Sequence, residues 1–280
     1  MIGAIIGDIV GSRFEFNNIR TKDFELFTDE CRFTDDTVAI IAIADAILND
    51  KPYRDCLVKW GKKYPKSGFS SRFLQWIENP EPYNSFGNGA LMRISPFGYA
   101  RLKNFSDFDL EINKAVSCSH DTDIARDYAS CLVKGILCAL RGDKEGIIRE
   151  AELLNIDTST LVEYYQINNK FDATCQGTLP VAIACFIEST SFEDAIRNAV
   201  SVGGDSNTIT SITGALAGAY WGVPQSITNM LKKYLPEEMC DLIDKFVIKF
   251  DSIRVPFLIE SQLKDLPEDF IFIKTKTIFN

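Results

Sequence analysis

An all-α fold is what this sequence predicts, and three observations carry it. Apolar segments of helical length recur at residues 37–48, 122–141 and 178–189. Strand signals are scarce. No Ser/Gly-rich linker or shift in composition divides the 280 residues. A chain of that length can bury one sizeable core, so residues 1–280 read as a single domain. Hydrophobic residues make up 46% and charged residues 25%, the balance of an ordinary globular protein rather than a disordered one.

Taken in order, the elements have local causes. Gly3, Gly7 and Gly11 repeat every four residues, which lines them along one helical face and lets a second helix approach closely. A dinucleotide-binding reading of these glycines fails, because G-x-G-x-x-G is absent and no βα alternation follows. Asp8 sits among them, and a carboxylate in small apolar surroundings needs a partner or a task. Glu15, seven residues on, shares its face if the helix continues. Residues 17–33 mix polar and aromatic side chains, as a loop or flap would. TVAIIAIADAIL at 37–48 is apolar almost all round, like a buried central helix. Ser191 with Asp194 three residues on makes a near capping box before AIRNAV. Only FIFIKTKTIF, at 270–279, suggests a short C-terminal β-strand or hairpin edge.

Charge and cysteine usage exclude several functions. A net charge of −9 repels nucleic-acid backbones and anionic membranes, and no basic patch offsets it. Lys62-Lys63 and Lys232-Lys233, the longest basic stretches, read as solvated helix faces. Nucleic-acid and membrane partners are therefore not expected. Eight cysteines without a C-x-x-C pair, beside a single histidine, argue against a Cys/His zinc site. Cys131 and Cys138 lie in apolar helical sequence, as reduced buried thiols do. With no cleavable signal segment and no apolar run of spanning length, the expected location is cytoplasmic.

Three oxygen-rich or glycine-rich segments concentrate chemistry. Thr34-Asp35-Asp36-Thr37 immediately precedes the buried helix. One aspartate would serve as a helix cap, but two adjacent ones repel each other unless a cation neutralises them. Gly203-Gly204-Asp205-Ser206-Asn207-Thr208 opens a second apolar helix and offers carboxylate, amide and hydroxyl oxygens. If these two mouths face one cleft they form an all-oxygen cage, which suits Mg²⁺, Mn²⁺ or Ca²⁺. In Ser85-Phe86-Gly87-Asn88-Gly89, glycines flanking an asparagine expose backbone N–H groups of the kind that cradle phosphate. Each segment has a plainer reading, as two helix caps and a turn.

GDIVGSRFE, FTDDT, SFGNGALMRISPFG and GGDSNT…GALAGAYWG, in this order over residues 1–222, resemble the ADP-ribosylglycohydrolase family. The resemblance implies a compact orthogonal helical bundle with a binuclear Mg²⁺ centre, or Mn²⁺ in its place, below an ADP-ribose cleft. It makes Thr34, Asp35 and Asp36 one group of metal ligands and Asp205 and Thr208 the other. Asn207 stands where the family usually has an aspartate. An amide oxygen still ligates but carries no charge and bridges poorly, so the site holds either one ion or two. Glu15 matches a loop glutamate near the metals that activates water or gates substrate. Ser85, Phe86, Gly87, Asn88 and Gly89 match the loop for the diphosphate and distal ribose. Ser119-His120 sits where a Ser/Thr-His pair lies near the adenosine, which makes His120 a candidate ligand.

The implied activity is hydrolysis of the glycosidic bond between ADP-ribose and a protein side chain or small acceptor. Such a bond breaks through an oxocarbenium-like transition state, so the site must stabilise positive charge and deliver water. Glu15, or a site aspartate such as Asp36, would take the proton. Asp8 would support the site from behind or brace a helix end. Rival readings are an impaired relative that only binds ADP-ribose, a metal-dependent nucleotide phosphohydrolase, and a purely structural helical domain.

Overall fold

A computed structural model of the protein describes residues 1–100 and 105–251. Sixteen α-helices run through these residues. The first eight are α1 (Ile2–Gly11), α2 (Asp35–Asn49), α3 (Tyr53–Lys63), α4 (Ser71–Glu78), α5 (Gly89–Met92), α6 (Ser95–Ala100), α7 (Phe105–Ser117) and α8 (Asp123–Ala139). The rest are α9 (Lys144–Glu152), α10 (Val162–Asn168), α11 (Cys175–Ile187), α12 (Phe192–Ser201), α13 (Ser206–Tyr220), α14 (Gln225–Thr228), α15 (Leu231–Tyr234) and α16 (Glu237–Asp251). Among the described residues there is no strand, only an isolated antiparallel bridge between Gly87 and Thr174. The fold is all-α. FIFIKTKTIF lies outside the described residues.

The centre of the molecule is the pairing of α1 with α13. A Cβ on Gly3 would lie 2.1 Å from the Gly214 carbonyl oxygen, and one on Gly7 would lie 2.1 Å from that of Thr210. At Gly11 it would meet the Asn207 Cα at 2.7 Å. The glycine face therefore serves backbone-to-backbone contact, and it delivers the end of α1 to the start of α13. Both α13, buried from Ser206 to Ala219, and α2, buried from Asp36 to Ala46, run through the core. Apolar sequence on all sides of a helix has that consequence. Both open onto the same place, which is where the polar residues gather.

Local details depart from the sequence in three places. α1 stops at Gly11, and a 3₁₀ turn, Ser12–Phe14, leads to Glu15. Glu15 thus reaches Asp8's neighbourhood by a tighter turn and not along one continuous α-helix. Pro96 would ordinarily mark the end of a helical run, yet α6 begins at Ser95 and carries Pro96 in its first turn. Proline is tolerated there because the first N–H groups of a helix have no intrahelical acceptor. Ser191 accepts a bond from the Asp194 N–H at 3.1 Å, but the Asp194 carboxylate returns to Thr190 N, at 3.0 Å, instead of closing the box on Ser191. All eight cysteines are free.

Candidate active site

Asp8 is the hub at the mouth of α2. Its carboxylate accepts from Thr34 N at 2.8 Å, Thr34 Oγ1 at 2.5 Å, Thr37 N at 3.2 Å and Thr37 Oγ1 at 2.5 Å. Thr34 also caps α2, its Oγ1 accepting from Asp36 N at 3.3 Å. Asp8 thereby ties α1 to α2, the bracing role its apolar setting suggested.

The mouth of α13 closes against this one. Asn207 Nδ2 donates to Thr34 Oγ1 at 3.1 Å, and Thr208 Oγ1 donates to Asp36 Oδ1 at 3.2 Å. Two segments about 170 residues apart in sequence are thus joined by side-chain bonds. The turn that presents them needs its glycines: Gly203 and Gly204 have φ of 59° and 79°, a region that L-residues avoid. Two oxygens at this junction, Asp36 Oδ2 and Asn207 Oδ1, are buried without any hydrogen-bond partner. Buried polar atoms are rarely left so, and each one calls for a ligand.

Crowded acids at low polarity hold their protons. Burial pushes the Asp36 carboxyl well above its ordinary value, with Asp8, Asp35 and Asp205 adding repulsion. Burial first, then Asp8, raises Asp35 to about 8. Asp205 is raised to about 6 by burial, held down in part by bonds from Asn88 and Thr208. Glu15, half-buried at the end of the 3₁₀ turn, rises to about 7 through burial and then the charges of Asp205 and Asp8. A divalent cation would relieve all of these at once.

Whether the donors fit such an ion can be judged from the atoms present. Among the described residues no three Asp, Glu, His or Cys side chains stand together closely enough to cage an ion by themselves. The two unpartnered oxygens, with the Asp35 and Asp205 carboxylates and the Thr208 hydroxyl, supply the hard oxygen set that Mg²⁺ or Mn²⁺ takes. In donor type these residues suit a cation bound by mixed carboxylate, amide and hydroxyl oxygens.

The Gly-Asn-Gly loop flanks this centre but uses its groups differently from the sequence reading. Gly87 N donates to Ser85 Oγ at 3.1 Å and Asn88 N to Ala173 O at 2.8 Å, so two of the N–H groups expected for phosphate are already taken. Asn88 turns its side chain inward, with Nδ2 donating to Asp205 Oδ2 at 2.7 Å and Thr178 Oγ1 at 3.0 Å. Asn88 thereby orients an acid of the centre. Phe86 stands 55% exposed at the rim.

His120 is buried, and Arg93 decides its state. The Arg93 guanidinium, wholly buried, donates to Gly89 O, to Ser119 Oγ at 2.9 Å and to His120 Nδ1 at 3.0 Å. An arginine cannot accept, so Nδ1 is the acceptor and a neutral ring carries its hydrogen on Nε2. Burial and the Arg93 charge hold His120 well below its usual pKa, in agreement. Nε2 faces the loop: a Cβ on Gly89 would approach it to 2.9 Å.

Several participants gave no warning in the sequence. Arg93 lies unremarkably within SFGNGALMRISPFG, and its burial and bonds expose its role. Asn18 grips Gly204 at both ends, accepting from its N–H at 2.8 Å and donating to its carbonyl at 3.0 Å. This fixes the chain after Glu15 to the turn before Asp205. Phe16, 81% exposed, stacks on Phe171, 55% exposed, at a centroid distance of 6.4 Å beside Glu15. Two surface concavities elsewhere, along Leu161, Tyr164 and Ile167 and between Asp50, Tyr53 and Pro82, lack any unpartnered buried polar atom.

Comparison with known proteins identifies the family. The family model described as ADP-ribosylglycohydrolase matches residues 1–254. The chain belongs to the ADP-ribosylglycohydrolase family. It is 25% identical over 261 residues to ADP-ribosylarginine hydrolase Tri1 of Pseudomonas putida (strain GB-1), covering 80% of this chain and 70% of that one. Against ADP-ribosylhydrolase ARH3 of Danio rerio the identity is 22% over 303 residues, with 80% and 82% covered. A solved structure titled ADP-ribosylglycohydrolase-related protein complex superposes with a TM-score of 0.68 at 23% identity, covering 89% of this chain and 96% of that chain, and so shares the fold. Membership of the ADP-ribosylglycohydrolase family makes this chain a hydrolase of the glycosidase type. Among the described residues no helix is long and apolar enough to cross a membrane.

Proposed function

We propose that this protein is a Mg²⁺- or Mn²⁺-dependent hydrolase that cleaves the glycosidic bond joining ADP-ribose to a protein side chain or small acceptor and releases ADP-ribose. The observation that supports it most is the meeting of the two helix mouths with Asp36 Oδ2 and Asn207 Oδ1 buried and unpartnered. Asp35, Asp36, Asp205, Asn207 and Thr208 would hold the cation. When bound, it supplies Lewis-acid chemistry, polarising water and fixing substrate hydroxyls.

The chain's own groups do the rest. Glu15, whose carboxyl burial and then the Asp205 and Asp8 charges raise in the metal-free site, would take a proton from water once the cation offsets those charges. Asn88 holds Asp205 in orientation, and Asn18 holds the segment after Glu15 in register with it. Ser85 and Gly89 border the diphosphate position, where the His120 Nε2–H offers a neutral donor. Binding energy from that remote half of the substrate holds the reacting sugar in place. Phe16, stacked on Phe171 beside Glu15, would border the acceptor of an ADP-ribosylated protein or small derivative, and Phe86 would stay with the diphosphate loop.

Asn207 favours a second reading, a relative that binds ADP-ribose yet turns it over poorly. A chelation test decides between them. Hydrolysis of ADP-ribosyl-arginine and ADP-ribosyl-serine peptides should vanish with EDTA and return with excess Mg²⁺. Retained ADP-ribose binding with no hydrolysis of either peptide in Mg²⁺ or Mn²⁺ would establish the second reading.

A further inference from the structure

We propose that Asn207 limits this centre to a single divalent cation by taking Thr34 out of the ligand set. The inference rests on the cation reading above and concerns how many ions the centre can hold. A hydroxyl has one hydrogen to give and two lone pairs to accept with. The Thr34 hydrogen goes to Asp8 Oδ1 at 2.5 Å. Its lone pairs receive Asp36 N at 3.3 Å and Asn207 Nδ2 at 3.1 Å. Nothing on that oxygen is left for a metal.

The same count fixes the orientation of the Asn207 amide. Because the only Thr34 hydrogen is committed to Asp8, the group facing Thr34 Oγ1 has to be a donor, which is the NH₂ end. Asn207 Oδ1 then points away, and it is the buried oxygen without a partner. An aspartate at this position could not make the bond to Thr34. Its two oxygens would be repelled by the accepting hydroxyl and would be free to bridge.

Charge leads to the same number. Two divalent ions at the roughly 4 Å spacing of binuclear sites repel four times as strongly as two unit charges at that distance. A carboxylate shared between them offsets much of that repulsion, and a neutral amide oxygen offsets little. The remaining donors, Asp35, Asp36 Oδ2, Asp205, Asn207 Oδ1 and Thr208, with water, suffice for one six-coordinate ion.

Mn²⁺ titration of the metal-free, full-length protein tests this by stoichiometry and by electron paramagnetic resonance, neither of which depends on turnover. Wild type should bind one Mn²⁺ per chain with the six-line signal of an isolated ion, any second ion binding at least tenfold more weakly. Asn207→Asp should bind two, with the broadened multiline signal of a coupled pair. Two tightly bound ions in wild type would overturn the proposal whether or not the variant folds. One ion in both proteins would overturn the role given to Asn207. No ion in either would sink the cation reading itself, and this proposal with it.

Discussion

Asp8 and Asp36 stand at the same helix mouth, equally buried, and differ in how completely they are satisfied. Asp8 accepts four hydrogen bonds from two threonines. Asp36 accepts one, from Thr208, and leaves its second oxygen bare. A buried acid whose bonds are all made joins elements together, whereas one left incomplete in a folded protein has a place for something else. The contrast separates architecture from chemistry within one short stretch.

The sharpest way to break the contrast is to remove each acid. Asp8→Ala strands the Thr34 and Thr37 donors in the core and should cost about 3–5 kcal/mol in urea unfolding, since several buried donors lose their acceptor at once at about 1–3 kcal/mol each. Asp36→Asn replaces an acid that burial and its neighbours keep from ionising with a neutral amide of the same shape, so its unfolding free energy should equal or exceed wild type while hydrolysis falls by about 100-fold or more. Equal destabilisation by both would erase the distinction.

Next in size is Glu15→Gln. It should lower kcat by about 10²-fold, the usual contribution of a general base, while ADP-ribose affinity measured by calorimetry changes less than about threefold. The kcat of wild type should rise with pH as the Glu15 carboxyl ionises, with a midpoint below the metal-free value of about 7 because the bound cation offsets the Asp205 and Asp8 charges. A flat profile together with an unaltered rate in the variant would remove Glu15 from the mechanism.

Smaller is the pH response of the metal-free protein. The acids at this centre have folded pKa values raised above their unfolded ones, so the folded state binds more protons. The stability they contribute is complete below about pH 4 and is lost as pH rises through about 6 for Asp205, 7 for Glu15 and 8 for Asp35. The Tm should therefore fall between pH 5 and 8. Mg²⁺ at 100 times its pH 8 Kd should restore about 2.7 kcal/mol at pH 8, roughly 5 °C, and the same Mg²⁺ concentration should restore less at pH 5.5, where protons compete for the acids and weaken binding. The smallest effect belongs to the other side of the cleft. Arg93→Lys keeps the charge but loses the fork that serves Gly89, Ser119 and His120, and should cost about 1–2 kcal/mol of stability, read by urea unfolding.

The sequence made legible what is local or periodic. Glycines every fourth residue announced a helix contact, and α13 proved to be the partner. All-round apolar helices announced the core, and acid-rich starts marked the mouths that meet at Thr34 and Asp36. Bonds between distant elements were not legible. Asn88 turning toward Asp205, Arg93 fixing the His120 tautomer and Asn18 clasping Gly204 depend on how helices pack, and no spacing along the chain encodes them. The phosphate cradle was overdrawn for the same reason, since the Asn88 N–H is claimed by Ala173, which lies 85 residues further along.

The central claim is that this acid-lined centre cuts a glycosidic bond, and the products of one reaction test it most directly. Wild type incubated with an ADP-ribosylated peptide and Mg²⁺ should yield intact ADP-ribose and unmodified peptide, resolved by liquid chromatography and mass spectrometry. AMP together with a phosphoribosylated peptide would show attack at the diphosphate and would contradict the account.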